Sequence, residues 1–276
     1  MRLSPAWTYV VAGAIWRVSP DGSGHLIGEE RDPERRAVAF FCLNATHGTV
    51  LWEHLRMDDE WWVGIEAVHA GVVFFHGFAT PDLPGHKGIT AVDIASGKRL
   101  WSRRDLRFLT AHRGSCYASH DKGHETEILE LDTGNGSVLG YPAEETIPSP
   151  RSSAVGGASD MSIRFPHPMS PEEWEQPELG GVVRFHTQSN EVIGDVNVLI
   201  HPRGSVFHWI EQVKGNGNIP PHNRSVLNVV DASGRTLVFS DLVGGGNTVQ
   251  ASFFTDHDML LYLKRRDMLS AVHLML

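Results

Sequence analysis

A short alternating pattern recurs along this chain and predicts β-hairpins. An apolar pair is followed by Asp or Asn, three residues, Gly, two residues, Leu and Trp, and the clearest copy runs from Ala91 to Trp101. Its first residues alternate as in a strand, the Asp93 carboxylate can bond backbone groups two residues on, and Gly97 can take the positive φ that closes a turn. Each copy therefore predicts two antiparallel strands joined by a tight turn.

The spacing of the copies predicts the fold. Five full or partial copies begin at residues 44, 93, 132, 186 and 231. A β-patterned period of roughly 40–50 residues is typical of a β-propeller with four strands in each blade. The residues that we expect to build this repeat are Asn44, Gly48, Trp52, Asp93, Gly97, Trp101, Asp132, Gly136, Asp231 and Gly234.

The whole chain is expected to be all-β and to form one propeller domain, residues 1–276, with about six four-stranded blades. Because of an irregular insertion at about 142–180, five and seven blades remain as alternative counts. The last predicted blade lacks its outermost strand, and an unpaired β segment lies at 6–11, so pairing the two closes the ring and removes an exposed edge. The predicted blades span 12–54, 61–104, 107–141, an irregular fourth that ends in strands at 181–187 and 190–195, then 196–241 and 248–274.

The repeat resembles that of the PQQ-like, or quinoprotein-type, β-propellers, whose blades carry an Ala-x-Asp-x-x-x-Gly-x-x-x-Trp signature. Ala91, Asp93, Gly97 and Trp101 match this signature, the first copy nearly matches it, and the others match in part. Most of the chain also resembles an uncharacterised bacterial family known only as a domain of unknown function. The resemblance implies the fold alone. Quinone-using members are far longer and bring a calcium site and a vicinal disulfide that this sequence lacks, so we expect no cofactor and no metal.

The net charge limits the classes of partner that we expect, and the cysteine content bears on disulfide formation. The net charge of −9 and pI near 5.9 argue against a nucleic-acid surface and against an electrostatic anchor on anionic lipid. Cys42 and Cys116 fall inside predicted strands of different blades, which favours buried thiols over a disulfide. The apolar stretch 6–16 is expected to form two strands rather than a signal peptide, which predicts a cytoplasmic location. An unknown protein or small molecule remains as partner.

Histidines and acids concentrate in four predicted long loops, at 54–60, 77–88, 119–126 and 213–224. In a propeller such loops share one face, and convergent polar groups at the mouth of a concavity can bind a ligand or a divalent metal. His76 is the leading candidate because it ends an apolar strand, although it could instead bond only a backbone carbonyl. The candidate ligand-binding residues are Asp58, Asp59, Glu60, Trp61, His76, His86, His120, His124 and His222.

No sequence motif identifies a reaction or any catalytic residue. Glycine-rich phosphate loops, nucleophile elbows and paired zinc-binding cysteines do not occur. The repeated histidines His69, His112 and His201 precede tight turns, where local hydrogen bonding is the expected role. A non-catalytic scaffold that binds a ligand or a protein is therefore favoured, with a metal-assisted hydrolase or lyase as the alternative and a docking arm at 142–180 as a third reading.

Overall fold

The computed structural model describes residues 2–80, 83–123, 125–148, 162–188, 191–215, 220–234, 236–244 and 253–275. Within these ranges the chain is all-β, with five antiparallel sheets and a few short helices. It divides into two compact units, one of residues 12–161 and one of residues 1–11 with 162–276. None of the described helices is long and apolar enough to cross a membrane.

The elements are short and follow one another closely. In chain order the strands are β1 (Pro5–Val10), β2 (Ala14–Pro20), β3 (His25–Asp32), β4 (Ala37–Asn44), β5 (Val50–Leu55), β6 (Val63–His69), β7 (Val72–Thr80), β8 (Leu83–Asp93), β9 (Arg99–Arg103), β10 (Leu106–His112), β11 (Ser115–Lys122), β12 (Glu125–Asp132), β13 (Val138–Gly140), β14 (Ile163–Arg164), β15 (His167–Pro168), β16 (Glu191–His201), β17 (Gly204–Val213), β18 (His222–Asp231), β19 (Leu237–Leu242), β20 (Phe253–Asp256), β21 (Met259–Arg265) and β22 (Met268–His273). The helical segments are a 3₁₀ turn at Glu144–Thr146, α1 (Pro171–Glu175), a π turn at Pro177–Gly181 and α2 (Val182–His186).

The unit of residues 12–161 contains three four-stranded sheets, each with its strands in chain order. The first sheet is β2–β5, the second is β6–β9 and the third is β10–β13. They correspond to the first three predicted blades. Apolar side chains of neighbouring sheets form shared clusters, for example Phe40 with Phe75 at a centroid distance of 4.5 Å. Cys42 and Cys116 are buried free thiols, as predicted, and burial raises the pKa of each to about 12.

The repeat tryptophans join each sheet to the next one. The Trp52 indole N–H donates to the Ile94 carbonyl over 2.6 Å, and its ring covers Gly97. A Cβ at Gly97 would lie 2.8 Å from Cγ of Trp52, and the backbone there has a φ of 67°. Glycine is therefore required at position 97 for two reasons: the turn needs a positive φ, and the Trp52 ring leaves no room for a Cβ.

The next pair of sheets repeats this contact. Trp101 donates from its indole N–H to the Thr133 carbonyl over 2.8 Å, and its ring lies against Gly136. The third copy of the repeat has Gly140 in place of the tryptophan. In the other unit, Gly234 packs against Glu178 of the π turn instead. Trp52 and Trp101 thus each contact a turn of the following sheet through both the ring and the indole N–H.

Two of the repeated histidines, which were expected to bond locally, also bond to turns of a neighbouring sheet. His69 accepts a hydrogen bond from the backbone N–H of Gly114 at 3.5 Å. His201 pairs through Nε2 with the carbonyl of His257 at 3.0 Å, and its Nδ1 accepts from the backbone N–H of Arg203. These contacts tie each histidine to a neighbouring turn.

The predicted strand at 181–187 is wrong, because α2 occupies this stretch. Leu179, Val182 and Val183 are buried together in the cluster that covers the fourth sheet, defined as β15–β19. Their spacing of three and four residues places them on one helical face, which a reading by alternation misses. Before them, Ser170 caps α1 in a capping box with Glu173.

The predicted boundary between a fourth and a fifth blade at residue 195 is also wrong. Residues 191–201 form one continuous strand, β16, whose pairing with β17 shifts register between Ile193 and Asn197. Gly194 has a φ of 73°, so the chain bulges here instead of turning. No separate sheet forms between 142 and 195 in the described part of the chain, since β14 and β15 add to neighbouring sheets. The sheets in the described ranges number five, one of the counts left open above.

The fifth sheet contains the predicted pairing of the N-terminal segment with the end of the chain. Its strand order is β1-β22-β21-β20-β14. Five residues of β1 pair with β22, from Pro5 opposite Val272 to Val10 opposite Met268. The backbone N–H of Val11 and that of Leu3 donate to Asp267 and Val238, respectively. The outer edge of β22 is therefore covered by β1.

We expect acid to destabilise the protein through His208, which is 3% exposed in the fourth sheet. Burial lowers the pKa of His208 from 6.5 to about 4. The unfolded chain therefore binds one more proton between these values, and stability is lost as the pH falls below 6.5. Lowering the pH from 7 to 5 should cost about 2 kcal/mol through this residue.

Urea denaturation at several pH values checks this prediction. In His208→Gln the side chain still reaches Ser225, the partner of the histidine at 2.6 Å, but it does not titrate. The variant should lose about 2 kcal/mol less than the wild type between pH 7 and pH 5. Identical losses in the two proteins would contradict the prediction.

Candidate ligand-binding site

The leading candidate, His76, lies in the second sheet together with His86. The segment 77–88 was predicted to be a long loop, but β7 extends to Thr80 and β8 starts at Leu83, so both histidines are strand residues. In the register of this hairpin His86 faces Phe78, two residues after His76. Residues two apart on a strand share a face, which brings the two imidazoles together.

The two rings are stacked, with centroids 3.5 Å apart and planes 12° from parallel. The imidazole pair, as we call His76 and His86, is buried at one end and open at the other. His76 is 5% exposed, whereas the side chain of His86 is 40% exposed. Glu66 completes the group, because its Oε2 lies 2.7 Å from Nδ1 of His86.

Among the described residues, Glu66, His76 and His86 form a group able to hold a metal ion, with one ligand atom from each lying within 4.8 Å of the others. Glu66 was not among the sequence candidates. Its strand, β6, pairs with β7 in a register that shifts between Ile65 and Ala67, directly at Glu66. A lone carboxylate in an otherwise apolar strand was the available signal, but the shift that brings it to His86 has no sequence signature.

Electrostatics keep His76 neutral at pH 7. Burial is the main cause that lowers the pKa of His76 to about 4, and the neighbouring charge of His86 adds to it. The carbonyl of Gly77, 3.1 Å from Nδ1 of His76, acts in the opposite direction because it favours a protonated nitrogen. A neutral imidazole has one nitrogen with a free lone pair, which can accept a hydrogen bond or bind a metal.

An aromatic wall adjoins the imidazole pair. Phe78 meets His76 and His86 edge-on at centroid distances of 5.0 and 5.4 Å, and Trp62 meets Phe78 at 5.8 Å. These contacts restrict the rotation of His76, which is the more buried ring. A ligand at this site would therefore meet one fixed imidazole and one that is half exposed.

A buried carboxylate lies close to the same strand. Glu29 is 2% exposed, and it accepts hydrogen bonds from Arg31 at 2.6 Å and from the backbone N–H of Ile65 at 3.3 Å. Arg31 in turn donates to the carbonyls of Trp61 and Val63. These contacts balance the negative charge of Glu29, so we assign Glu29 a structural role.

Trp61 belongs to this structural network. Its ring packs against the cluster between the first two sheets, and the Arg31 guanidinium lies 5.2 Å from its centroid. The same guanidinium lies 5.6 Å from the ring of Trp16, which is 66% exposed. These contacts give Trp61 a packing role.

The predicted acids Asp58, Asp59 and Glu60 make contacts of their own. Asp58 forms ion pairs with Arg99 at 2.8 Å and Arg104 at 2.9 Å, and these hydrogen bonds lower the pKa of its carboxyl group. Asp59 accepts from the backbone N–H groups of Trp61 and Trp62, as a turn residue does. The Glu60 side chain is exposed, while its carbonyl accepts from Val38. The side chains of Asp58 and Asp59 therefore make their contacts around the segment between β5 and β6.

The remaining predicted histidines are found apart from the imidazole pair or fall outside the description. His120 is half-buried in the third sheet, with Nε2 3.8 Å from an oxygen of Asp105. His222 is exposed in the other unit and contacts the carbonyl of Pro220 at 3.3 Å. His124 lies outside the described residues. Of the predicted candidates, the structure therefore brings His76 and His86 together.

A family model described as "Domain of unknown function (DUF4905)" matches residues 19–101 of the chain. This stretch covers most of the first sheet and all but the last two residues of the second, and it includes Glu66, His76 and His86. No curated protein matches the chain. The matched segment therefore holds the candidate site but supplies no activity.

Several solved structures resemble the chain at low identity. One is titled as a europium-containing methanol dehydrogenase, with 11% identity, coverage of 96% of this chain and 52% of that chain, and a TM-score of 0.30. Another is a eukaryotic initiation factor, with 10% identity, coverage of 92% and 49%, and a TM-score of 0.35. A third is TolB from Acinetobacter baumannii, with 9% identity, coverage of 92% and 65%, and a TM-score of 0.31. This chain spans about half the length of the first two, and none of these activities carries over to it.

Proposed function

We propose that this protein is a non-catalytic binding scaffold, a single-domain β-propeller of about five or six blades, whose ligand site is the imidazole pair with Glu66. The propeller assignment draws support from sheets with strands in chain order and from the tryptophan contacts between successive sheets. The pairing of β1 with β22 supports closure by strand exchange. The cytoplasmic location and the absence of nucleic-acid and membrane partners remain predictions from charge and sequence.

One observation carries the choice of site, namely that a buried and a half-exposed imidazole are stacked beside a carboxylate. Burying a polar ring costs free energy unless its polar atoms are satisfied, so a sheet face meant only for packing would carry apolar residues there. The hydrogen bonds to Gly77 and Glu66 also orient both rings, and His76 is the more restricted because it is buried. A pre-organised, half-open polar group is suited to binding, because little freedom is lost when a ligand arrives.

The same geometry supports the alternative function, a metal-assisted hydrolase or lyase. A metal held by histidines can polarise a carbonyl group or activate water. Among the described residues no further titratable side chain joins the group of Glu66, His76 and His86. A binding role therefore accounts for more of the arrangement than a reaction does.

The test uses the full chain and a defined set of probes: zinc ions, malate, glucose and adenosine. Binding is followed by thermal shift and by the ¹⁵N resonances of the histidine side chains. At least one probe should raise the melting temperature and move the His76 and His86 signals in the wild type, but not in His86→Ala. If no probe moves these signals, the binding site is refuted.

Turnover separates the two candidate functions. A non-catalytic scaffold should hydrolyse p-nitrophenyl acetate and p-nitrophenyl phosphate no faster with zinc than the His86→Ala variant does. Zinc-dependent hydrolysis that is lost in this variant would favour the hydrolase.

A further inference from the structure

We propose that the imidazole pair binds one divalent transition-metal ion through Nε2 of His76 and Nε2 of His86, with Glu66 as a positioning residue. This inference rests on the proposed function, because it names the ligand class of the same site. Imidazole nitrogens suit zinc, copper and nickel ions, whereas calcium and magnesium prefer sites made only of oxygen. Four features of the structure support this inference: the ring nitrogens that carry protons, the room beside Nε2 of His76, the charges nearby and the geometry of the two rings.

The hydrogen bonds determine which nitrogen of each ring carries the proton. A carbonyl oxygen can only accept, so the 3.1 Å contact of Nδ1 of His76 with Gly77 places a proton on that nitrogen. The carboxylate of Glu66 likewise accepts from Nδ1 of His86 over 2.7 Å. In the neutral rings both Nε2 atoms then keep their lone pairs. Metal-binding histidines commonly donate the other ring N–H to a carbonyl or carboxylate in this way.

Space next to one of these nitrogens depends on a glycine. Gly64 of β6 lies opposite His76 in the register of the sheet. A Cβ at Gly64 would lie 3.0 Å from Nε2 of His76, closer than side-chain atoms normally approach. Gly64 does not have a positive φ, so backbone conformation does not account for the presence of glycine at this position. The missing side chain leaves room beside Nε2.

Charges of both signs surround the site: Arg17 and Arg31 act against a positive charge at His76, whereas Glu66 supplies a negative charge. Glu29 is engaged by Arg31 at 2.6 Å, so its charge is already balanced. Glu66 differs, because in the described residues its ionic partner is His86 and not an arginine or lysine. The Glu66 carboxylate, bonded to Nδ1 of His86, would attract a divalent ion bound on the far side of the ring.

The orientation of the rings requires a small movement of one of them. Two Zn–N bonds of about 2.0–2.1 Å allow donor atoms to be up to roughly 4.2 Å apart, and the rings are stacked with centroids 3.5 Å apart. Nearly parallel rings also have nearly parallel lone pairs, so the rings must fan open. His86 is free to do so because its side chain is 40% exposed, while His76 stays fixed by Phe78. Two protein nitrogens leave further positions for water or a ligand donor.

Calorimetric titration of the full chain with zinc chloride tests the site. We expect one equivalent of zinc to bind and His86→Ala to lower the affinity about 100-fold or more, beyond the 10- to 100-fold typical of an outer-shell change. Gly64→Ala should weaken binding while it keeps both histidines, because its Cβ crowds Nε2 of His76. His120→Ala is the matched control, since His120 is also a half-buried histidine near a carboxylate but has no partner ring among the described residues. It should bind zinc as the wild type does.

Glu66 variants separate a positioning role from direct ligation. In Glu66→Gln the amide oxygen can still accept from Nδ1 of His86, so the affinity should fall less than about tenfold, whereas Glu66→Ala should lose about 10- to 100-fold. An equal, complete loss in both variants would make Glu66 a metal ligand and overturn the positioning role.

Nuclear magnetic resonance provides a readout that a purely structural role would not change. Without metal, both rings should show the Nδ1–H tautomer, and zinc should shift Nε2 of both histidines and leave both Nδ1 protonated. Circular dichroism confirms that each variant is folded. An Nε2–H tautomer on both rings, or zinc binding that survives His86→Ala and Gly64→Ala, would overturn the proposal.

The failure of this inference can be told apart from the failure of the proposed function. If malate, glucose or adenosine shifts the imidazole signals while zinc does not, the metal inference is wrong and the binding scaffold stands. If neither zinc nor the organic probes shift them, both are wrong.

Discussion

Replacing Trp101 with alanine is expected to lower the free energy of unfolding by about 3 kcal/mol, the lower end of the range for large aromatic residues because this ring is partly exposed. The variant loses three contacts at once. The ring packs on the cluster of Phe74 and its neighbours, the indole donates to Thr133, and the ring plane covers Gly136. Urea denaturation of wild type and variant measures the difference.

Two companion variants make this prediction specific. Trp101→Phe keeps most of the ring but removes the hydrogen bond to Thr133, so it should cost about 1 kcal/mol from that bond. Trp16→Ala removes a tryptophan that is 66% exposed and should cost less than Trp101→Ala. If Trp101→Ala proves no more costly than Trp16→Ala, the contact between the sheets does not stabilise the fold.

Deleting residues 2–10 is expected to have the largest effect, a loss of about 4–5 kcal/mol at roughly 1 kcal/mol for each paired position or equivalent contact. The deletion removes all five residue pairs between β1 and β22. It also removes Leu3, which packs against the core cluster of its unit. The edge of β22 becomes exposed, and unpaired edges promote aggregation, so soluble yield and melting temperature should both fall.

A peptide of residues 1–11 provides the control for this deletion. Added in excess to the truncated chain, it should restore part of the lost melting temperature by occupying the edge of β22. The same peptide with Thr8→Pro should rescue less, because proline cannot donate a backbone hydrogen bond. An unchanged melting temperature for the truncated protein would show that β1 does not contribute to stability.

The sequence was sufficient for the parts of the fold that depend on local rules. Tight turns need glycine at a positive φ, and Gly97 and Gly136 have φ values of 67° and 70° as the repeat predicts. The tryptophans of the first two copies, Trp52 and Trp101, were recognisable because each lies four residues after the glycine. The unpaired segment before residue 12 could be matched to the incomplete last sheet because both are short of a partner.

The sequence was insufficient wherever tertiary contacts override local pattern. The stretch 77–88 contains Pro81, Pro84 and three glycines, which favour a loop, yet strand pairing continues to Phe78 and His86. α2 is short, and its buried residues become recognisable as a helical face only next to the fourth sheet. Propensity is a weak guide over so few residues.

The two histidines of the candidate site were predicted from the sequence, whereas Glu66 was not, because its position depends on tertiary contacts. His76 was singled out because it ends an apolar strand, and His86 because it lies in the predicted loop 77–88. Glu66 joins them through a register shift in a third strand, which depends on long-range pairing. The predicted acids at 58–60 pointed to the wrong carboxylates, because nearness in sequence to His76 does not decide which oxygen reaches the rings.

The contact between tryptophan and glycine also predicts how the sequence of this chain changes during evolution. Trp52 belongs to one hairpin and Gly97 to the next, so the two are 45 positions apart yet form one interlocking joint. A lineage that loses the ring removes one of the two constraints on its distant glycine, and a lineage that gains a side chain at the glycine must first lose the ring. The two positions should therefore be inherited as a pair. Duplication of a four-stranded sheet should copy the whole hairpin, so that each new copy brings both a ring for the following sheet and a glycine for the ring of the preceding one.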